Sequence, residues 1–380
     1  MMAYLDYNAT SPIRAEAKEA AARALAIGGN ASSVHTAGRA ARALIESARA
    51  NVAALAEVLP ENVIFTSGGT EANALALWGA VQGAADADVR LTRLFVSGIE
   101  HDSVLANATA LAERFAGLRL EAIPVTADGV ADLDALRRGL CEGKGRALIA
   151  MMVANNETGV LQPVAEAAAL AQESGALLFT DGVQAAGKNP LPQADYVTLS
   201  AHKLGGPQGT GALILRDGVP FSPQILGGGQ ERSRRAGTEN LSGIAGFGAA
   251  AEGAMREIGH SAALRDGFET GLMRLAPNAV IFGVKAARLA NTSNFALPGM
   301  TAETALMALD LDGVMMSSGA ACSSGKVKPS HVLRVMGVGE DLARCALRAS
   351  FGWNSQESDV DAALTSLSKL LSRARSRSAA

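Results

Sequence analysis

Lys203 stands in "SAHKLGGPQGTG", between an apolar run and a glycine-rich turn. Most lysines are solvated surface charges, but an amine in such surroundings is partly desolvated, the condition under which it acts as nucleophile and base. Asp181 ends a second apolar run, "ALLFTDGVQ". In an Asp-Gly pair it reads as a turn residue or helix N-cap. Paired with Lys203 it reads as the carboxylate that keeps a pyridine nitrogen protonated, which pyridoxal phosphate requires of its protein. A third run, "VIFTSGGTEANALAL", passes into Gly68, Gly69 and Thr70 where a helix should begin. Free N–H groups and the positive helix end seat a phosphate at such a place, although Gly-Gly-Thr is also a common turn and N-cap. The three features together imply pyridoxal phosphate more strongly than any one of them.

Other reactive side chains fall at strand ends of the same kind. "LFVSGIEH" reaches His101, "LIAMMVANNETG" reaches Asn156, "ALLFTDGVQ" reaches Gln184, and "YVTLSAHK" reaches His202 as well as Lys203. A lone histidine is commonly a satisfied buried one. At a strand end beside Glu100, His101 reads instead as an imidazole that stacks on a cofactor ring and moves protons near neutral pH. "SGAACSSGKVKPSH" carries a single thiol, Cys322, among small and polar neighbours. Burial as a small hydrophobe, the usual fate of a free cysteine, suits Cys141 and Cys345 better than Cys322.

The elements that must position these groups follow from the alternation of short apolar runs with alanine-rich helical patterns between about residues 60 and 215. Candidate strands are 63–65, 94–97, 148–153, 176–180, 196–199 and 212–215. The pattern predicts an α/β fold with a mostly parallel sheet covered on both faces, whose ligands bind at the carboxyl ends of the strands. "GGGQERSRRAGTEN" breaks the rhythm as a functional loop, and an alanine-rich helix is expected through 241–275. A smaller C-terminal domain follows, holding Cys322 and "CALRASFG". The terminal "LSRARSRSAA" reads as a fraying end of the last helix.

Composition narrows the partners. With 34 Lys+Arg against 37 Asp+Glu, the net charge of -3 attracts neither nucleic acid nor an anionic membrane, so small molecules or proteins are expected. The opening "MMAYLDYNAT" lacks the regions of a signal peptide and no apolar run approaches membrane-span length, which predicts a cytosolic protein. Three widely spaced cysteines argue against both a disulfide framework and a metal knuckle.

The chain resembles the cysteine desulfurases of the NifS/IscS type, fold-type I pyridoxal-phosphate enzymes of the class-V aminotransferase family. The motifs run in family order over nearly the full length. They are "YLDYNAT", "SSVHTAGR", "FTSGGTEANALAL", "EHDSV", "VANNETGVLQPV", "DGVQAAGK", "SAHKLGGPQGTGAL", "GGGQERSRRAGTEN", "SSGAACSSG", "PSHVLRVMG" and "ALRASFGW". The resemblance implies a homodimer with a large domain over 14–255 and a small α+β domain made of 1–13 and 256–380. It implies that Lys203 forms the Schiff base, Asp181 pairs with the pyridine nitrogen, Gln184 bonds the ring hydroxyl and His101 stacks on the ring. Gly69, Thr70, Ser200 and His202 hold the phosphate, with Thr238 reaching it from the other subunit. Asn156 and Arg348 grip the substrate carboxylate, a task for which an arginine fork is apt. Cys322 is the sulfur acceptor that carries a persulfide from L-cysteine to a partner, leaving L-alanine, and a glycine- and serine-rich segment suits a thiol that must travel.

Two departures remove no chemical group: Ala31 stands where relatives usually show proline, and "SRRAGTEN" replaces the common "GLRSGTEN". The "ACSSG" context resembles the subgroup with an extended loop rather than the one with an Arg-x-Gly-x-His-Cys context, which implies delivery to an iron–sulfur scaffold protein. Competing readings on the same scaffold are a selenocysteine lyase and an aminotransferase, though an aminotransferase has no use for Cys322. A non-catalytic scaffold protein is a third, against which the retention of Lys203 and Cys322 speaks.

Overall fold

Every candidate strand between residues 63 and 215 pairs, because each carries apolar side chains on both faces, as a strand sandwiched between helix layers must. The computed structural model describes residues 2–256, 261–318 and 330–378, with side chains through 374. Its strands are β1 (Ala3–Tyr4), β2 (Val63–Thr66), β3 (Leu91–Ser97), β4 (Arg119–Ile123), β5 (Arg146–Ala150), β6 (Leu177–Asp181), β7 (Tyr196–Ser200), β8 (Gly211–Leu215), β9 (Val280–Ile281), β10 (Thr292–Ala296), β11 (Val314–Met315) and β12 (Ala346–Ser350). The helices are α1 (Ala15–Ile27), α2 (Thr36–Leu55), α3 (Gly69–Asp86), α4 (Asp102–Arg114), α5 (Leu133–Glu142), α6 (Val164–Ser174), α7 (Leu241–Met255), α8 (Ala262–Leu275), α9 (Ala302–Leu311), α10 (His331–Val335), α11 (Glu340–Ala343) and α12 (Glu357–Ser378).

Seven strands form one sheet in the order β2-β8-β7-β6-β5-β3-β4, parallel except for β8, which runs against both its neighbours. Alternate residues point to opposite faces. Ile64, Leu94, Leu148, Phe179, Tyr196 and Leu213 pack with Leu75, Ala76 and Val104 of α3 and α4. Phe65, Val197, Leu199 and Ile214 face α2 and α7 instead, while Phe95, Ile149 and Leu178 face α5 and α6. Each large apolar side chain so buried contributes about 2 kcal/mol. The carboxyl ends of β2, β3, β5, β6 and β7 therefore open on one edge, where the sequence reading gathers its reactive residues.

β12, β10 and β9 form an antiparallel sheet, and β1 pairs in parallel with β11. Leu5, near the chain's start, is buried with Phe268, Phe295, Leu347, Phe351 and Leu367. The N-terminal residues thus pack among elements from the other end of the chain. The helix expected through 241–275 divides into α7 and α8, with 257–260 outside the described residues. Its last element, α12, extends to Ser378, so helix continues into the segment read as a fraying end. Among the described residues no helix is long and apolar enough to cross a membrane.

Candidate active site

Gly68 ends the turn after β2 with φ 155°, a backbone region that side chains rarely allow, and α3 begins at Gly69. A Cβ on Gly69 would stand 3.0 Å from Val183 Cγ2 and 3.4 Å from Ser200 Cβ, so the missing side chain lets the helix N-terminus sit against the end of β7. Thr70, exposed in the first turn, shares this edge with Ser200, which is buried. The arrangement is a cradle for an anion: backbone N–H groups and the positive end of α3 on one side, hydroxyls on the other.

Lys203 follows β7 in a single short turn, Ala201–Lys203. Its Nζ donates to the backbone oxygens of Asn8 at 2.5 Å and Ala9 at 2.8 Å. Burial pushes its pKa down to about 8; Arg348 deepens the fall, and Asp6 and Asp181 oppose it. Neighbouring His202, whose Nδ1 lies 3.1 Å from Thr10 Oγ1, is pushed down to about 4 by burial and then by Lys203 and Lys188. It is neutral at pH 7.

Asp181 closes β6 and is held at both oxygens. Oδ1 accepts from the Val183 N–H and Oδ2 from Asn73 Nδ2, each at 2.9 Å. Gln184, one turn on, donates from Nε2 to the Asn8 carbonyl at 2.9 Å. Lys188 donates back to the Gln184 carbonyl at 3.1 Å, and burial followed by repulsion from Lys203 and Arg348 pushes its amine down to about 7. His101 is the N-cap of α4, its Nδ1 accepting from the Ser103 N–H at 3.1 Å while the ring stays exposed. Beneath it the fully buried Glu100 accepts at Oε1 from the Met152 N–H, and burial holds its carboxyl well above the usual carboxylate range.

The small sheet contributes Arg348 from β12. Nη2 donates to Asp6 Oδ1 at 2.5 Å and Nη1 to the backbone oxygen of Asn156 at 3.0 Å, while Nε is buried with no partner among the described residues. Arg348 and Asn156 are thus joined, through the asparagine's backbone. A guanidinium 3% exposed with an unspent donor is suited to a carboxylate ligand.

Two expected residues stand apart. Thr238 is exposed in the turn before α7, and among the described residues no hydrogen bond ties it to the cluster. Cys322 lies outside the described residues. The loop bearing Thr238 is nonetheless anchored: Glu231 and Arg232 hold φ of 45° and 55°, unusual for residues with side chains. Glu231, buried, binds Arg49 at 2.6 Å and 3.0 Å and caps the Phe65 N–H of β2, while Arg235 forks onto Glu71 of α3. Sequence reasoning assigned no role to Asp6, Asn8, Asn73, Ser103 or Lys188. All five lie inside quoted motifs, but most of their contacts cross 30 to 342 residues of chain or run through backbone carbonyls, which no local pattern shows.

A family model described as Aminotransferase class-V matches residues 3–363. A curated cysteine desulfurase of Cereibacter sphaeroides is 42% identical over 382 residues, covering 99% of this chain and 97% of the relative. An IscS-like cysteine desulfurase of Mycobacterium tuberculosis is 39% identical, with 98% and 97% covered. Among solved structures, a NifS-like protein from Rickettsia africae superposes with a TM-score of 0.87 at 33% identity, over 98% of this chain and 100% of that one.

Proposed function

The chain belongs to the class-V aminotransferase family, and from that premise we infer that it is a pyridoxal-phosphate-dependent cysteine desulfurase. The observation that carries the reading is similarity to a curated cysteine desulfurase at 42% identity across 99% of this chain. Pyridoxal phosphate supplies, when bound, an electron sink for the carbanion formed at the substrate's α-carbon.

The residues present fit that group. Lys203 offers an amine whose pKa is pushed down to about 8, chiefly by burial, so a useful fraction is the nucleophilic free base near neutral pH. Asp181 lies one strand away with its carboxylate fixed at both oxygens, fit to pair with the pyridine nitrogen. Gly69, Thr70, Ser200 and neutral His202 are the proposed phosphate holders, joined by the partner subunit's copy of the exposed loop at Thr238 in a homodimer. Gln184 is proposed for the ring hydroxyl, and exposed His101 for stacking on the ring.

L-cysteine's carboxylate docks on Arg348, whose buried Nε is supplied with a partner by it, and on Asn156. Lys203 removes the α-proton. The Cys322 thiolate attacks the substrate sulfur: the carbon–sulfur bond breaks and a sulfur–sulfur bond forms. Sulfur is oxidised to the persulfide level as the β-carbon is reduced by the same two electrons, and the carbon skeleton takes up protons at Cβ and Cα and leaves as L-alanine. The persulfide passes to an acceptor protein, which we propose to be a scaffold for iron–sulfur cluster assembly in the cytoplasm. We also propose that residues 14–255 act as the cofactor domain, and 1–13 with 256–380 as the domain that brings Arg348 and Cys322 to it.

The test is release of sulfide and alanine from L-cysteine with dithiothreitol present, in the parent and in Cys322→Ala. Equal amounts of the two products from the parent, and none from a variant that still binds cofactor, are expected. A variant that turns over as fast as the parent removes Cys322 from the mechanism.

A further inference from the structure

A chain of hydrogen bonds, buried from Asp181 as far as Ser103, runs on to the exposed His101, and its polarity is dictated at one end. A carboxylate only accepts, so the group of Asn73 that meets Asp181 Oδ2 at 2.9 Å must be its Nδ2 amide. The other oxygen of Asp181 is already taken by the Val183 N–H. Asn73 Oδ1 is thereby turned to Thr198, whose hydroxyl donates to it at 2.5 Å. The second hydrogen on Nδ2 goes to Ser103 Oγ at 2.9 Å. That hydroxyl, having accepted from Asn73, has its own hydrogen to give, and His101 Nδ1 lies 2.8 Å away. The Ser103 backbone N–H, which can only donate, meets the same nitrogen at 3.1 Å. Asn73 is 2% exposed, Ser103 9% and Thr198 fully buried, so water has little part in the links up to Ser103.

We propose that Asn73 and Ser103 are positioning residues that transmit the orientation of Asp181 to His101 and fix its neutral ring in the form with hydrogen on Nε2. The inference rests on the reading of His101 and Asp181 as residues beside the cofactor. Its chemical consequence is directional. The lone pair that would take a proton is turned to Ser103, so neutral His101 presents the open site with a hydrogen-bond donor, and the base for the α-proton is Lys203 alone. Ser103 Oγ is also the one group beside Nδ1 able to reverse and accept, since the Ser103 amide cannot.

The test is ring-nitrogen NMR on full-length protein labelled at histidine, first without cofactor and then loaded, with the His101 signals assigned by their loss in His101→Gln. Only 5 histidines contribute, so the pairs are separable. An acceptor-type Nδ1 and a protonated Nε2 are expected in the cofactor-free parent. In Ser103→Ala and in Asn73→Ala, Nδ1 moves toward the position of an acceptor with no hydroxyl bonded to it, and Ser103→Thr restores the parent pattern. In loaded protein Ser103→Ala lowers kcat for cysteine about tenfold with KM nearly unchanged, because orientation rather than binding is lost. A protonated Nδ1 in the parent overturns the proposal. So does a parent pattern that persists in both variants, which would leave the backbone amide sufficient. Failure of the parent to release alanine, with Nε2 protonated as expected, sinks the desulfurase reading and leaves the relay standing.

Discussion

The two sides of the site are built on opposite plans. On the large-sheet side Asp181 accepts at both oxygens, Asn73 uses its amide nitrogen twice and its oxygen once, and Gln184 is held at both ends of its amide, while Glu100 Oε2 and Ser97 Oγ have no partner among the described residues. On the small-sheet side Arg348 is as deeply buried, yet Nε has no partner among the described residues. An unpaired buried donor costs about 1–3 kcal/mol. The difference teaches what each side is for. On the proposed roles, a resident cofactor meets groups that are already hydrogen-bonded, whereas a substrate that comes and goes meets a donor held in reserve.

The sharpest way to break that comparison is to remove the reserve. Arg348→Leu is expected to lower kcat/KM for L-cysteine by about 10²- to 10³-fold, the scale on which truncating one partner of a buried charge pair acts. Most of the loss should fall on KM. Arg348→Lys keeps the charge but not the fork, and recovers only part of the activity. A loss confined to kcat, or full recovery by lysine, would mean that the guanidinium does not bind the carboxylate.

Legibility in the sequence follows the same division. The six candidate strands of the large sheet were readable because each is a short apolar run closed by a turn, and the register of that sheet forces their ends together. β4 was not among them: four of its five residues are at least partly exposed and "RLEAI" carries two charges, as suits an edge strand with one neighbour. The division between α7 and α8 was hidden because alanine and glycine continue on both sides of it. Lys203, Asp181, His101 and the Gly69 turn stood out as reactive types at strand ends. Asp6 and Ser103 did not, since what makes them matter is a guanidinium 342 residues away in one case and an asparagine 30 residues away in the other.

The amine of Lys203 lies between the two sides and reports on both. Its pKa of about 8 means that the free base, the form that captures an aldehyde, is a minority below pH 8. Capture of pyridoxal phosphate by cofactor-free protein should therefore quicken about tenfold per pH unit up to about pH 8 and level off above it. A midpoint near the ordinary lysine value of 10.5 would show the amine to be solvated and the frame around it open.

Charge on the small-sheet side then moves that midpoint in two opposite directions. Asp6 favours the ammonium form and Arg348 disfavours it, and the two are themselves paired. Removing the carboxylate in Asp6→Asn takes away a charge that stabilises the ammonium, so the midpoint falls by less than about one unit. Removing the cation in Arg348→Leu also leaves Asp6 without its counter-charge, so the midpoint rises. Mutual opposition of the two shifts, read from the same capture rates, would tie Lys203 electrostatically to the substrate arginine. Shifts of equal sign would mean that each substitution acts by loosening the packing around the amine, and the small sheet would then contribute shape to the frame but no field.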